Sequence, residues 1–242
     1  MHGEKLIEIR GLKKNFGKLL ALDNLNFDIY RGEIFGLLGP NGAGKSTFIS
    51  ILTTICKPTS GDVFIKGFSV KRQPDKVKRS IGFVPQDIAL YTMLSGHDNL
   101  NFWAGIYGLS GRLKKERIKK VLSIVRLEDR AKDRVEEYSG GMKRRLNIAV
   151  ALLHHPEILV MDEPTVGVDI QSRKYILDAV KGLKEEGRTV IFTSHYIDEM
   201  ESLCDRIALI NKGKIEAIGT VDELRNKYGM KTIEDIMLKF IE

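Results

Sequence analysis

The sequence predicts an α/β fold, a largely parallel sheet covered by helices with a helical segment inserted into it. Three observations lead there. Short apolar runs alternate with stretches of helical periodicity on both sides of the middle of the chain. A glycine-rich turn, residues 39–44, separates one such run from one such helix. Strand signals almost vanish between about Asp87 and Ala151. With 242 residues, 43% hydrophobic and 29% charged, the chain suits one domain able to bury a sizeable core.

The elements follow in order. Residues 6–9, 25–29 and 34–38 read as strands, and a helix runs from Lys45 to about Ile55. Residues 62–65 and 81–84 are further strands. Ser95 and Asp98 form a helix-start signal for an aromatic-rich helix reaching about Tyr107. Ile118, Val121, Leu122 and Val125 share one face of the next helix. Alternation then resumes: strand 158–161, a helix marked by Ile176, Ala179, Val180 and Leu183, and strands 190–193 and 207–210. Thr220 with Glu223, and Thr232 with Asp235, have the spacing of capping boxes. The division is residues 1–86 and 152–242 as α/β core, with 87–151 as a helical subdomain.

Composition narrows the function classes. No apolar run reaches 18 residues, and the first ten residues lack an apolar leader, so cytoplasm is the expected compartment. Cys56 and Cys204 are far apart and without metal-ligand spacing, and both read as buried apolar residues. The net charge of +7 is densest at residues 112–120. That run fits a solvated helix face, an anionic membrane surface or a nucleic-acid patch. The lack of interleaved aromatics weighs against nucleic acid. Trp103, Phe102 and Tyr107 read as core packing, with contact to a membrane partner as the sharper alternative. His154 and His155 read as capping or surface residues.

Two motifs carry chemistry. Gly39, Pro40, Asn41, Gly42, Ala43, Gly44, Lys45 and Ser46 fit G-x-x-x-x-G-K-[ST], between a strand and a helix. Glycines let backbone N–H groups curl around phosphate oxygens, and the helix N-terminus faces the anion. Lys45 reaches the β and γ phosphates, and the Ser46 hydroxyl suits Mg²⁺. Asp162 and Glu163 end an apolar strand, placing one carboxylate for the metal and the next for an attacking water.

Tyr138, Ser139, Gly140, Gly141 and Met142 resemble the L-S-G-G-Q signature of ABC ATPases, and Asp169 stands where that family has its D-loop. Gln86 and His195 match the Q-loop glutamine and the switch histidine, and Phe16 the aromatic that stacks on adenine. The resemblance implies a P-loop NTPase core with an N-terminal antiparallel β portion. It implies an ATPase with ATP and Mg²⁺ as cofactors. Glu163, His195, Lys45 and Gln86 would be catalytic, and Ser46, Gln86 and Asp162 would hold the metal. Phe16, residues 39–46 and Thr47 would bind one ATP, while Ser139, Gly140 and Gly141 would meet the γ-phosphate on a second subunit, expected to be a copy of this chain.

The resemblance further implies separate transmembrane permease subunits and a peripheral place on the cytoplasmic face. No nucleic acid and no transmembrane helix of its own are expected. The motifs are most similar to exporters of the ABC-2 group. A solute importer shares the core motifs, and a soluble ABC protein acting on DNA or ribosomes is the remaining alternative.

Overall fold

The computed structural model describes residues 3–241 and begins with a β-hairpin. Met1 and His2, the start of the segment read as lacking a leader, lie outside the described residues. β1 (Lys5–Phe16) and β2 (Leu19–Tyr30) pair antiparallel, turning at Gly17, whose φ of 57° suits glycine. Both are longer than expected. Register shifts keep the irregular polar stretches near Gly11 and Asn24 within the ladder, where apolar alternation alone loses them.

β3 (Ile34–Leu38) crosses into a second sheet and leads to α1 (Lys45–Leu52). β4 (Ser60–Ile65) and β5 (Phe68–Ser69) return to the first sheet, whose order is β2-β1-β4-β5. α2 (Pro74–Ser80) was not foreseen, although Pro74 at its first turn and Asp75 beside it are start signals. After β6 (Ile81–Val84) come α3 (Gly96–Ile106), α4 (Gly111–Val125) and α5 (Gly140–Leu152), with no extended strand among them.

The remainder is β7 (Ile158–Asp162), α6 (Ile170–Glu185), β8 (Thr189–Ser194), α7 (Ile197–Leu203), β9 (Arg206–Asn211), β10 (Lys214–Gly219), α8 (Val221–Tyr228) and α9 (Ile233–Ile241). The second sheet has the order β10-β9-β3-β8-β7-β6, parallel except for the edge strand β10. α7 and β10 also went unread in the sequence.

Period-two alternation along the central strands splits the interior in two. Phe35, Leu37, Val160 and Ile191 face the antiparallel sheet and α1, where Phe27 stacks on Phe35 at 5.6 Å and also meets Phe48. Leu38, Leu159, Met161, Val190 and Phe192 face the helical side with Leu100, Leu146 and Val180. Truncating one of these phenylalanines to Ala costs about 3–5 kcal/mol, from lost transfer and the cavity left behind. Gly82 on β6 is required by this packing: a Cβ there would lie 2.3 Å from the Ala151 carbonyl oxygen, so the last turn of α5 rests directly on the strand.

The caps follow the sequence. Ser95 accepts from the Asp98 N–H at 3.0 Å, Thr220 and Glu223 form a reciprocal capping box, and Thr232 accepts from the Asp235 N–H. Several side chains depart from expectation. Phe102 and Tyr107 are exposed rather than core, because they sit on the outer face of α3 and just beyond its end; only Trp103 packs against the interior. His154 is half-buried, bonded through Nε2 to the Ile81 carbonyl at 3.0 Å and stacked on Tyr107. Cys56 and Cys204 are half-buried rather than buried, and both are free. Among the described residues no helix is long and apolar enough to cross a membrane.

Candidate functional site

The turn after β3 is shaped by contacts that exclude side chains. A Cβ on Gly39 would lie 2.2 Å from the Ile210 carbonyl oxygen, and Gly44 caps α1 with a φ of 110°. No side chain caps α1 and no acidic residue occupies its first turn, which leaves its N-terminal N–H groups able to meet an anion. Lys45 is buried at 5% exposure, and its Nζ donates to the carbonyls of Gly39 at 2.8 Å and Pro40 at 3.3 Å. Ser46 is exposed and Thr47 half-exposed.

These residues floor a cleft of about 520 Å³. Pro40, Asn41, Gly42, Gly44, Lys45, Ser46 and Thr47 line it, together with Phe16, Gln86 and Glu163. Phe16 is half-exposed at the end of β1, with the Lys14 ammonium 4.7 Å from its ring centroid. Leu19, Leu20, Ala21 and Lys212 also line the cleft and were missed. Only the turn geometry of two hairpins brings them there, and no motif marks it.

Glu163 is the centre of the charged groups. Its Oε1 lies 3.6 Å from Lys45 Nζ and 3.4 Å from His195 Nδ1, and its Oε2 accepts from Gln86 Nε2 at 3.3 Å. Its φ of 47° is in the left-handed region, a conformation a non-glycine residue holds only when its surroundings enforce it. One enforcing group is Thr193 on β8, whose hydroxyl accepts from the Glu163 N–H at 2.9 Å. The same hydroxyl donates to Asp162 Oδ1 at 2.7 Å. Thr193 sits in an apolar strand and carried no sequence signal.

The loop bearing Gln86 is held from α5. Arg144 donates to the Pro85 carbonyl at 2.8 Å, and Asn147 bonds both Asp87 and Ala89. Burial pushes the Arg144 pKa down from its ordinary value, with Asp87 and Asp162 acting the other way. Arg144 and Asn147 carry no motif signal of their own, and only the fold brings them to this loop.

Ser139, Gly140 and Gly141 lie outside this cleft. Ser139 caps α5 by accepting from the Met142 N–H at 3.2 Å, and Ser139 and Gly140 are exposed. Gly141 is buried: a Cβ there would fall 2.2 Å from Ser172 Oγ and 2.7 Å from Asp169 Oδ2. Asp169 caps α6, and its bonds from Ser172 lower its pKa from the usual carboxylate value. Tyr138, in the place of the signature's Leu, is buried and donates to the Arg130 carbonyl at 2.7 Å.

The family model described as "ABC transporter" matches residues 22–166. The chain belongs to the ABC transporter ATP-binding family. This ABC cassette is 50% identical over 228 residues to the linearmycin resistance ATP-binding protein LnrL of Bacillus subtilis (strain 168), covering 94% of the chain and 73% of that protein. It is 41% identical to the doxorubicin resistance ATP-binding protein DrrA of Mycobacterium tuberculosis (strain CDC 1551 / Oshkosh), covering 92% and 68%. It is also 41% identical to the Nod factor export ATP-binding protein I of Rhizobium sp. (strain N33), covering 94% and 75%.

Among solved structures, an ATP-binding subunit of an ABC transporter superposes with a TM-score of 0.88 at 28% identity, covering 98% of the chain and all of that one. A dimeric cassette in a post-hydrolysis state with ADP and phosphate gives a TM-score of 0.80 at 30% identity, covering 88% and 98%. The fold class is therefore that of the ABC ATPases, and the cassette is an ATP-binding, ATP-hydrolysing subunit of an ABC transporter.

Proposed function

We propose that this cassette powers export, working as a dimer on the cytoplasmic face of a membrane with separate permease subunits. The observation that carries the direction is identity of 41–50% across nearly the whole chain to subunits named for drug resistance and Nod factor export. Residues 87–151 act as a helical subdomain on the α/β core. Beside α3, an apolar groove of about 360 Å³ lined by Ile55, Phe83, Trp103 and Tyr107 offers the permease a docking surface.

In the site, Phe16 stacks on adenine, while the N–H groups of residues 39–44 and the α1 N-terminus hold the phosphates. Lys45 moves from the Gly39 and Pro40 carbonyls to the β and γ phosphates, exchanging neutral acceptors for charged ones. Glu163 then orients and deprotonates the attacking water, with His195 and Gln86 at its edges. Ser139, Gly140 and Gly141 of a second copy supply the other anion-binding helix end.

Mg²⁺ fits the donors available. Ser46, Asp162 and the Gln86 side-chain carbonyl are all oxygen ligands, and a sparse protein set supplemented by phosphates is what this cation takes. When bound, it draws negative charge from the phosphate oxygens.

Glu163→Gln tests the reading. The variant should bind ATP, run as a dimer on a sizing column with ATP, and lose about 10²–10³ in kcat, as loss of one group acting in the transition state does. Wild-type turnover would remove Glu163 from the chemistry.

A further inference from the structure

Glu199, on α7, is a carboxylate left without a part in the roles above, yet it is 1% exposed. A charge so buried is costly unless its oxygens meet donors. Here they do. Oε2 accepts from the hydroxyls of Thr165 and Ser194, each at 2.8 Å, and Oε1 accepts from Arg173 Nε at 2.6 Å.

The three donors come from three segments, each attached to a group of the site. Thr165 is two residues beyond Glu163, and Ser194 immediately precedes His195. Arg173 stands one turn into α6, its N–H bonded to the carbonyl of the capping residue Asp169 at 2.8 Å. The other arm of Arg173 reaches Asp198 at 2.7 Å, and its guanidinium lies 5.0 Å over the Tyr196 ring. That ring lies 4.6 Å from His195, and Ser194 Oγ accepts from the Tyr196 N–H at 2.9 Å. The left-handed backbone at Glu163 requires restraint on both sides. Thr193 provides one before it, and the Thr165–Glu199 bond provides the other after it.

We propose that Glu199 is a positioning residue for ATP hydrolysis. It fixes the Glu163 loop, the His195 loop and the start of α6 to a single buried carboxylate. It is buried and absent from the lining of the cleft, so it acts through the groups it holds. This inference rests on the reading of Glu163 and His195 as hydrolytic groups.

Three near-isosteric variants of the full chain test it: Glu199→Gln, Ser194→Ala and Thr165→Val. For each, kcat, KM, ATP affinity and the thermal midpoint are measured. Glu199→Gln should lower kcat about 10-fold with KM and affinity unchanged, since a displacement of about 1 Å in a catalytic group costs up to about 10² in rate. Ser194→Ala and Thr165→Val should each lower kcat alone, and combine with Glu199→Gln less than additively, because their shared acceptor is already altered.

Unchanged kcat in Glu199→Gln overturns the proposal. So do strictly additive losses, or kcat, affinity and thermal midpoint falling together. If Glu199→Gln is insoluble, Ser194→Ala and Thr165→Val decide between themselves: sub-additive losses in kcat alone support the proposal, and unchanged kcat rejects it. Glu163→Gln is run alongside. Wild-type turnover in that variant defeats the reading of the site itself. A slow Glu163→Gln beside a normal Glu199→Gln rejects only the positioning role.

Discussion

Lys45 and Glu163 are opposed charges held in little solvent, so their substitution has effects larger than surface positions give. Lys45 is buried against two carbonyls and the Glu163 carboxylate, beside the loop proposed to receive phosphate. Lys45→Ala should weaken ATP binding at least about 100-fold, near 2.7 kcal/mol, measured by titration with a fluorescent ATP analogue. Unchanged affinity would remove residues 39–46 from phosphate binding. The partners of Glu163 show what sequence can and cannot deliver at this scale. Lys45 was legible because motif spacing names it, and Gln86 and His195 only through the resemblance to the ABC family. Thr193 and Glu199 were not, since a threonine in an apolar strand and a glutamate on a short helix look ordinary until the fold gathers their partners.

At the scale of elements, apolar runs and periodicity located the five parallel strands and the helices α4 and α6, and a start signal located α3. It failed where length or regularity was lacking, as in the bulged halves of β1 and β2 and the seven-residue α2 and α7. The junction of α5 with β6 carries a consequence for pH. His154 Nε2 bonds a carbonyl, so that nitrogen bears the proton, and Nδ1 is buried without a partner. Protonating Nδ1 would create a buried unsatisfied donor. Burial, joined by the nearby Arg117 and Arg188 charges, lowers the His154 pKa below its ordinary 6.5. The sign follows from proton uptake. As pH falls through 6.5 the unfolded imidazole gains a proton that the folded one refuses, so stability drops until the lowered folded pKa is reached. His154→Gln should flatten that part of the profile, seen as a smaller fall in Tm between about pH 7 and pH 5. An unaltered profile would assign the acid sensitivity elsewhere.

On the proposed reading, the whole molecule contains half of each reaction centre. Its cleft gathers the residues proposed to hold and attack phosphate, while Ser139 caps α5 and Gly140 begins it, both exposed and outside the cleft's lining. Ser139→Arg should therefore leave ATP affinity of the monomer intact while turnover collapses by about 10² or more, with no ATP-induced dimer on sizing. Normal turnover would place that surface away from the chemistry. The backbone contact at Gly82 acquires its meaning at this scale. α5 is a rod about 20 Å long, and its last turn bears on β6 with no side chain between them. That makes the contact a fulcrum, and Ser139 rides at the far tip of the lever. A tilt of about 3° over such a length carries the tip about 1 Å, enough to spoil the contact with a phosphate proposed for Ser139. A methyl group inserted at the fulcrum would act on catalysis through leverage, from the opposite end of the helix.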